Sequence, residues 1–74
     1  MDYRERITTD PAIMLGKPII KGTRITVELV LRKLSDGMTM EALLQGYPHL
    51  TKEDVLAALS YSVDVIAKEE MLVH

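Results

Sequence analysis

The chain has 74 residues, of which 47% are hydrophobic, with no cysteine, two histidines and a net charge of −2 at pH 7. That length holds one domain, residues 1–74, near the lower limit at which a single core suffices. The absence of cysteine excludes disulfide staples and thiolate metal sites, and two histidines leave little for any other metal, so no cofactor is expected.

An apolar fraction this high in so short a chain predicts burial against a second copy or another protein. Charge is unevenly placed. Through Lys33, seven basic side chains face four acidic ones, giving +3; after Lys33, two face seven, giving −5. The split predicts two surfaces with different partners; an ordinary mixed surface is the plainer account. The opening MDYRERITTD lacks the apolar run of a signal peptide. No stretch approaches the roughly 20 residues of a membrane span. A cytoplasmic protein without membrane contact is the expectation.

In chain order, Arg4 to Thr9 reads as a short strand with weak period-two alternation. Asp10-Pro11 is a turn or helix-start signal. Ala12 to Leu15 reads equally as a helical turn or a second strand, and Gly16-Lys17-Pro18 breaks whatever precedes it. Ile19-Ile20 and Thr23-Arg24-Ile25 read as two short strands around Lys21-Gly22, with Gly22 taking the positive φ of a tight turn. Gly16-Lys17 and Gly22-Thr23 do not make a phosphate loop, because the order GxxxxGK[ST] is absent and Pro18 interrupts it. Residues 1–25 thus form a β arm.

Residues 26–70 repeat one device: a capping Thr followed by an amphipathic helix. Thr26 starts the first helix, with Val27, Val30, Leu31 and Leu34 on its core stripe. Glu28 and Arg32-Lys33 suit the two ends of its dipole, and Ser35-Asp36-Gly37 stops it. Thr39 starts the second, with Met40, Leu43, Leu44 and Tyr47 repeating the spacing. Gly46 and Pro48 end it after about two turns, too short to stand without packing. Thr51 starts the third, with Asp54 as the capping-box acid. Val55, Leu56, Leu59, Val63 and Ile66 are its expected buried stripe. Leu29, Tyr61 and Val65 lie off the stripes and, with Met71 and Leu72, are the candidates for a dimer interface. The predicted fold is therefore mainly α: short N-terminal β segments followed by a three-helix bundle.

A short helix, a break of about four residues and a longer helix outline a helix-turn-helix. The residues expected to face DNA at the start of the third helix are Lys52, Glu53, Ala57 and Ser60. One cation beside acids is a poor phosphate-binding surface. Arg4, Arg6, Lys21 and Arg24 of the front half are the stronger contact candidates for DNA or a protein partner, alongside Lys52 and Ser60. No nucleophile stands with a histidine and an acid in a recognisable arrangement, so no enzymatic activity is expected.

Residues 10 to 61 resemble the small prokaryotic family called domain of unknown function 433. The most specific pieces are Gly16-Lys17-Pro18-Ile19-Ile20-Lys21-Gly22-Thr23-Arg24-Ile25 and Tyr47-Pro48-His49-Leu50-Thr51. The resemblance implies a homeodomain-like helical fold with a short N-terminal β part. It also implies an antitoxin of a toxin–antitoxin pair that binds a PIN-like ribonuclease toxin and its own operator DNA. Two features depart from the pattern. Thr26 stands where Pro is common in the family, although Thr still caps, and the tail after Glu70 is short. On this reading a basic side chain enters the nuclease groove and pairs with its metal-binding carboxylates. The rival expectations are a stand-alone DNA-binding regulator and a homodimeric protein-interaction module with no DNA role.

Overall fold

The computed structural model describes residues 2–73, and side chains through Lys68. A 3-10 turn at Tyr3–Glu5 leads into strand β1, Ile7–Thr8; a second short turn, Met14–Gly16, precedes strand β2, Ile19–Ile20. Three helices follow: α1, Val27–Ser35; α2, Met40–Gly46; and α3, Lys52–Val73. The mainly helical architecture with an N-terminal β part is the one expected from the sequence.

The β arm differs from its predicted form in two places. The strand expected over Arg4 to Thr9 is confined to Ile7–Thr8. The reason is local: the Asp2 carboxylate accepts the Arg4 N–H at 3.0 Å, which closes Tyr3–Glu5 into a turn instead. The pairing partner of Ile19–Ile20 is β1, antiparallel, with Ile7 opposite Ile20 and Thr8 opposite Ile19. The expected second strand over Thr23 to Ile25 is reduced to a bridge between Ile19 and Thr26. Ile20 N–H still donates to the Ile25 carbonyl at 2.9 Å, and Gly22 takes φ +79° at the turn between them. The ambiguous Ala12 to Leu15 stretch is neither a right-handed helix nor a strand. Met14, Leu15 and Gly16 are all left-handed, with φ of 50°, 59° and 78°.

The helix starts are as predicted. Thr26 Oγ1 accepts Leu29 N–H at 3.0 Å and Thr39 Oγ1 accepts Ala42 N–H at 3.1 Å. Thr51 and Asp54 form a reciprocal box: Thr51 N–H donates to Asp54 Oδ2 at 3.0 Å, and Asp54 N–H donates to Thr51 Oγ1 at 3.1 Å. Gly37, at φ +96°, closes α1 with paired bonds from Gly37 N–H to Leu34 O and Met38 N–H to Lys33 O.

The core gathers Ile7, Ile20, Val27, Val30, Leu43, Leu50, Val55, Ala57 and Ala58. Leu31, Leu34, Met40, Leu44 and Tyr47 pack on its edge, as their spacing predicts. Helix α3 departs from its predicted stripe. Of the five residues expected inside, only Val55 is buried; Leu56, Leu59, Val63 and Ile66 are 39%, 37%, 64% and 54% exposed. The buried side is Asp54, Val55, Ala57 and Ala58. Alanine is small enough to let α1 and the β arm come close to the α3 backbone, and leucine there would hold them apart.

Candidate interaction surfaces

The front-half cations divide into those already paired and those left over. Arg6 Nη1 donates to Asp54 Oδ1 at 3.1 Å, tying the arm to the start of α3. Arg4 reaches Asp2 at 3.5 Å and lies 5.6 Å from the Tyr3 ring centre. Lys17 Nζ and Arg32 Nη2 both donate to Glu28, each at 2.9 Å. Those two cations hold the Glu28 carboxyl below its ordinary pKa, Lys17 contributing most. Lys21, Arg24 and Lys33 form no ion pair among the described residues; Lys21 and Arg24 are exposed, and Lys33, on α1, is half-buried. Lys21 and Arg24 flank the tip of the Gly22 turn, so the turn geometry itself projects two unneutralised cations.

Beside that turn lies a hollow of about 530 Å³, lined by Thr8, Asp10, Ile13, Ile19, Thr23 and Arg24. The same connecting loop carries Leu15, which is 93% exposed and in a left-handed conformation that costs a branched residue roughly 1 kcal/mol. Sequence reasoning passed over Leu15, because apolar periodicity identifies buried positions and carries no signal for one held outward. Strain combined with full apolar exposure marks a position that folding alone does not favour.

Helix α3 provides the second surface. Lys52 and Glu53 are exposed as expected, and Ser60 is half-buried. Ala57, expected to face DNA, is instead fully buried, and Leu56, expected inside, is exposed. The outward face of the first turns is therefore Lys52, Glu53 and Leu56, one cation beside an acid and an apolar side chain. A groove of about 600 Å³ runs between α1 and the second half of α3, with Leu31, Tyr61 and Val65 among its walls and Lys17, Glu28 and Arg32 contributing to its lining.

The dimer-interface candidates separate in the same way. Tyr61 stacks edge-on against Tyr3, with ring centres 5.5 Å apart at 86°, so much of it is engaged within the chain. Leu29 is half-buried and Val65 is 38% exposed. The side chains of Met71 and Leu72 lie outside the described residues. Among the described residues no helix is long and apolar enough to cross a membrane, and no group of three potential metal ligands is assembled.

Comparison with known proteins matches most of this architecture. A sequence profile described as "Protein of unknown function (DUF433)" matches residues 7–62. The chain is 34% identical over 59 residues to "Uncharacterized protein y4eO" of Sinorhizobium fredii, a match covering 80% of the chain and 27% of that protein. It therefore spans little more than a quarter of that relative's length. An "Uncharacterized protein" of Archaeoglobus fulgidus is 54% identical over 28 residues, 38% of this chain and 78% of that one. The crystal structure of a DUF433 member from Anabaena variabilis superposes with a TM-score of 0.81 at 28% identity, covering 95% of this chain and 69% of the other.

Proposed function

Because the chain belongs to the DUF433 family, we propose that it is a non-catalytic, antitoxin-like protein that binds and blocks a PIN-like ribonuclease. The observation that carries this reading is the pair Lys21 and Arg24, exposed on one tight turn, while Arg4, Arg6, Lys17 and Arg32 each have an acidic partner and Lys33 is half-buried on α1. A nuclease groove lined with metal-binding carboxylates is acidic. A guanidinium can bind such carboxylates through two parallel hydrogen bonds and displace the metal's share of their charge. The Gly22 turn is narrow and fixed by Ile20–Ile25 and Ile20–Thr23 hydrogen bonds, so it enters a cleft at little entropic cost.

The test is a ribonuclease assay with the protein encoded by the gene adjacent to this chain's own, which the reading expects to be a PIN-like nuclease. The wild-type protein is expected to abolish RNA cleavage, and the Lys21→Ala/Arg24→Ala double variant to restore it without loss of helical content. Inhibition unchanged in the double variant removes the turn from the mechanism. Absence of any complex with the encoded nuclease removes the reading.

The second reading, operator binding, is supported by the succession of α2, the turn Tyr47 to Thr51, and α3. The chemistry of the reading face supports it less, since Glu53 and Leu56 flank Lys52. Any DNA contact would draw on Lys21 and Arg24 instead. A gel shift whose affinity falls steeply with salt, and falls again in the double variant, is its expected signature.

A further inference from the structure

The geometry points to a homodimer in which two copies of this chain pair α3 against α3, running antiparallel. Lys52, Leu56, Leu59, Val63 and Ile66 all stand exposed on α3. Their spacing is 4-3-4-3, the a/d repeat of a two-helix seam, and Glu70 is the next position in that repeat. This is a narrow stripe and not a general scatter. Ser60 and Ala67, one step to its side, are small enough to allow close helix approach.

The ends of the stripe choose the occupant and its direction. It begins on a cation, Lys52, and its sequence repeat ends on an acid, Glu70. An antiparallel copy sets Leu56 opposite the partner's Ile66, Leu59 opposite the partner's Val63, and Lys52 opposite the partner's Glu70. All three pairings share one midpoint, at position 61, as a two-fold axis requires. A parallel copy would set lysine on lysine and glutamate on glutamate at the two ends. The pattern is thus complementary to itself in one direction only.

Pairing along α3 also covers Lys52 and Leu56, the outward face of the helix-turn-helix, and leaves Lys21 and Arg24 open.

Sedimentation of the isolated full chain tests this without any nuclease, so its outcome is independent of the blocking reading. The wild-type protein is expected to be a dimer at about 100 µM, a range in which a specific helix pair is populated. Val63→Glu is expected to be monomeric with unchanged helical circular dichroism. Lys52→Glu is expected to weaken the dimer at least about tenfold, and Lys52→Glu combined with Glu70→Lys to restore it. A monomeric wild type overturns the proposal and leaves the seam to a different protein. A folded Val63→Glu dimer overturns the seam. A dimer indifferent to Lys52→Glu, or unrestored by the double exchange, overturns the antiparallel arrangement.

Discussion

Arg6 and Asp54, 48 positions apart, meet through a 3.1 Å bond from Nη1 to Oδ1. The same carboxylate accepts Thr51 N–H at 3.0 Å through its other oxygen. One side chain therefore starts α3 and anchors the N-terminal arm to it. Asp54 is only 8% exposed, so both of its oxygens are satisfied by the protein.

Asp54→Ala removes a cap worth about 1 kcal/mol and strands a half-buried guanidinium, for a combined loss of about 2–3 kcal/mol. Arg6→Ala should cost about 1 kcal/mol or less, because the Arg6 side chain is 40% exposed and solvent screens the pair. Urea denaturation of the two single variants and the double variant measures the coupling. Costs that simply add would mean that the carboxylate serves the cap alone.

The capping threonines were legible in the sequence because a cap needs only residues within three positions of it. The fate of the charges was not. Arg6 finds Asp54 across the fold, and Lys17 finds Glu28 across the β arm, so only the folded chain separates paired cations from Lys21, Arg24 and Lys33. Helix α3 was misread for a related reason. Periodicity shows that Leu56, Leu59, Val63 and Ile66 share a side, but not whether that side meets this chain's core or another surface. The alanines at 57 and 58 held the answer, since close approach selects small residues.

Exchanges on the two sides of α3 separate these readings. Ala58→Leu places a large side chain where exposure is 0% and is expected to cost about 1–3 kcal/mol through overpacking. Leu59→Ser, on the outer side but only 37% exposed, should cost the monomer about 1 kcal/mol or less. Denaturation of dilute protein, below the concentration at which copies pair, is the appropriate measurement. A larger loss at Leu59 than at Ala58 would restore the buried-leucine arrangement.

The two left-handed turns call for opposite substitutions. Gly22, at φ +79°, has nothing within 4 Å of a Cβ placed there, so Gly22→Ala meets no clash and is opposed by the backbone alone. A cost of about 1 kcal/mol is expected. Leu15, at φ 59° and 93% exposed, is the converse case. Leu15→Asn keeps every buried contact, places a residue tolerant of that conformation, and should stabilise by about 0.5–1 kcal/mol. Thermal melts of both variants report the signs. If Leu15 docks into a partner, the stabilised variant binds that partner less well, the trade expected where strain serves function.

At the far end of the arm, Tyr3 couples the N-terminus to α3 through pH. The Asp64 carboxylate acting on its hydroxyl, aided by partial burial, raises the phenol above its ordinary pKa. Arg4, nearby, opposes the shift. The fold thus favours the protonated phenol more than the unfolded chain does. The contribution is complete at pH below the ordinary phenol range and is lost as pH rises through the elevated value. In a background where Tyr47 and Tyr61 are replaced by Phe, phenolate absorbance isolates Tyr3. Its midpoint is expected above the ordinary value, and Asp64→Asn should bring it back toward that value and shrink the stability lost between neutral and alkaline pH. A Tyr3 midpoint at or below the ordinary value would show that the arm is held to α3 without help from the Asp64 carboxylate, by the Tyr3–Tyr61 stack and the Arg6–Asp54 pair.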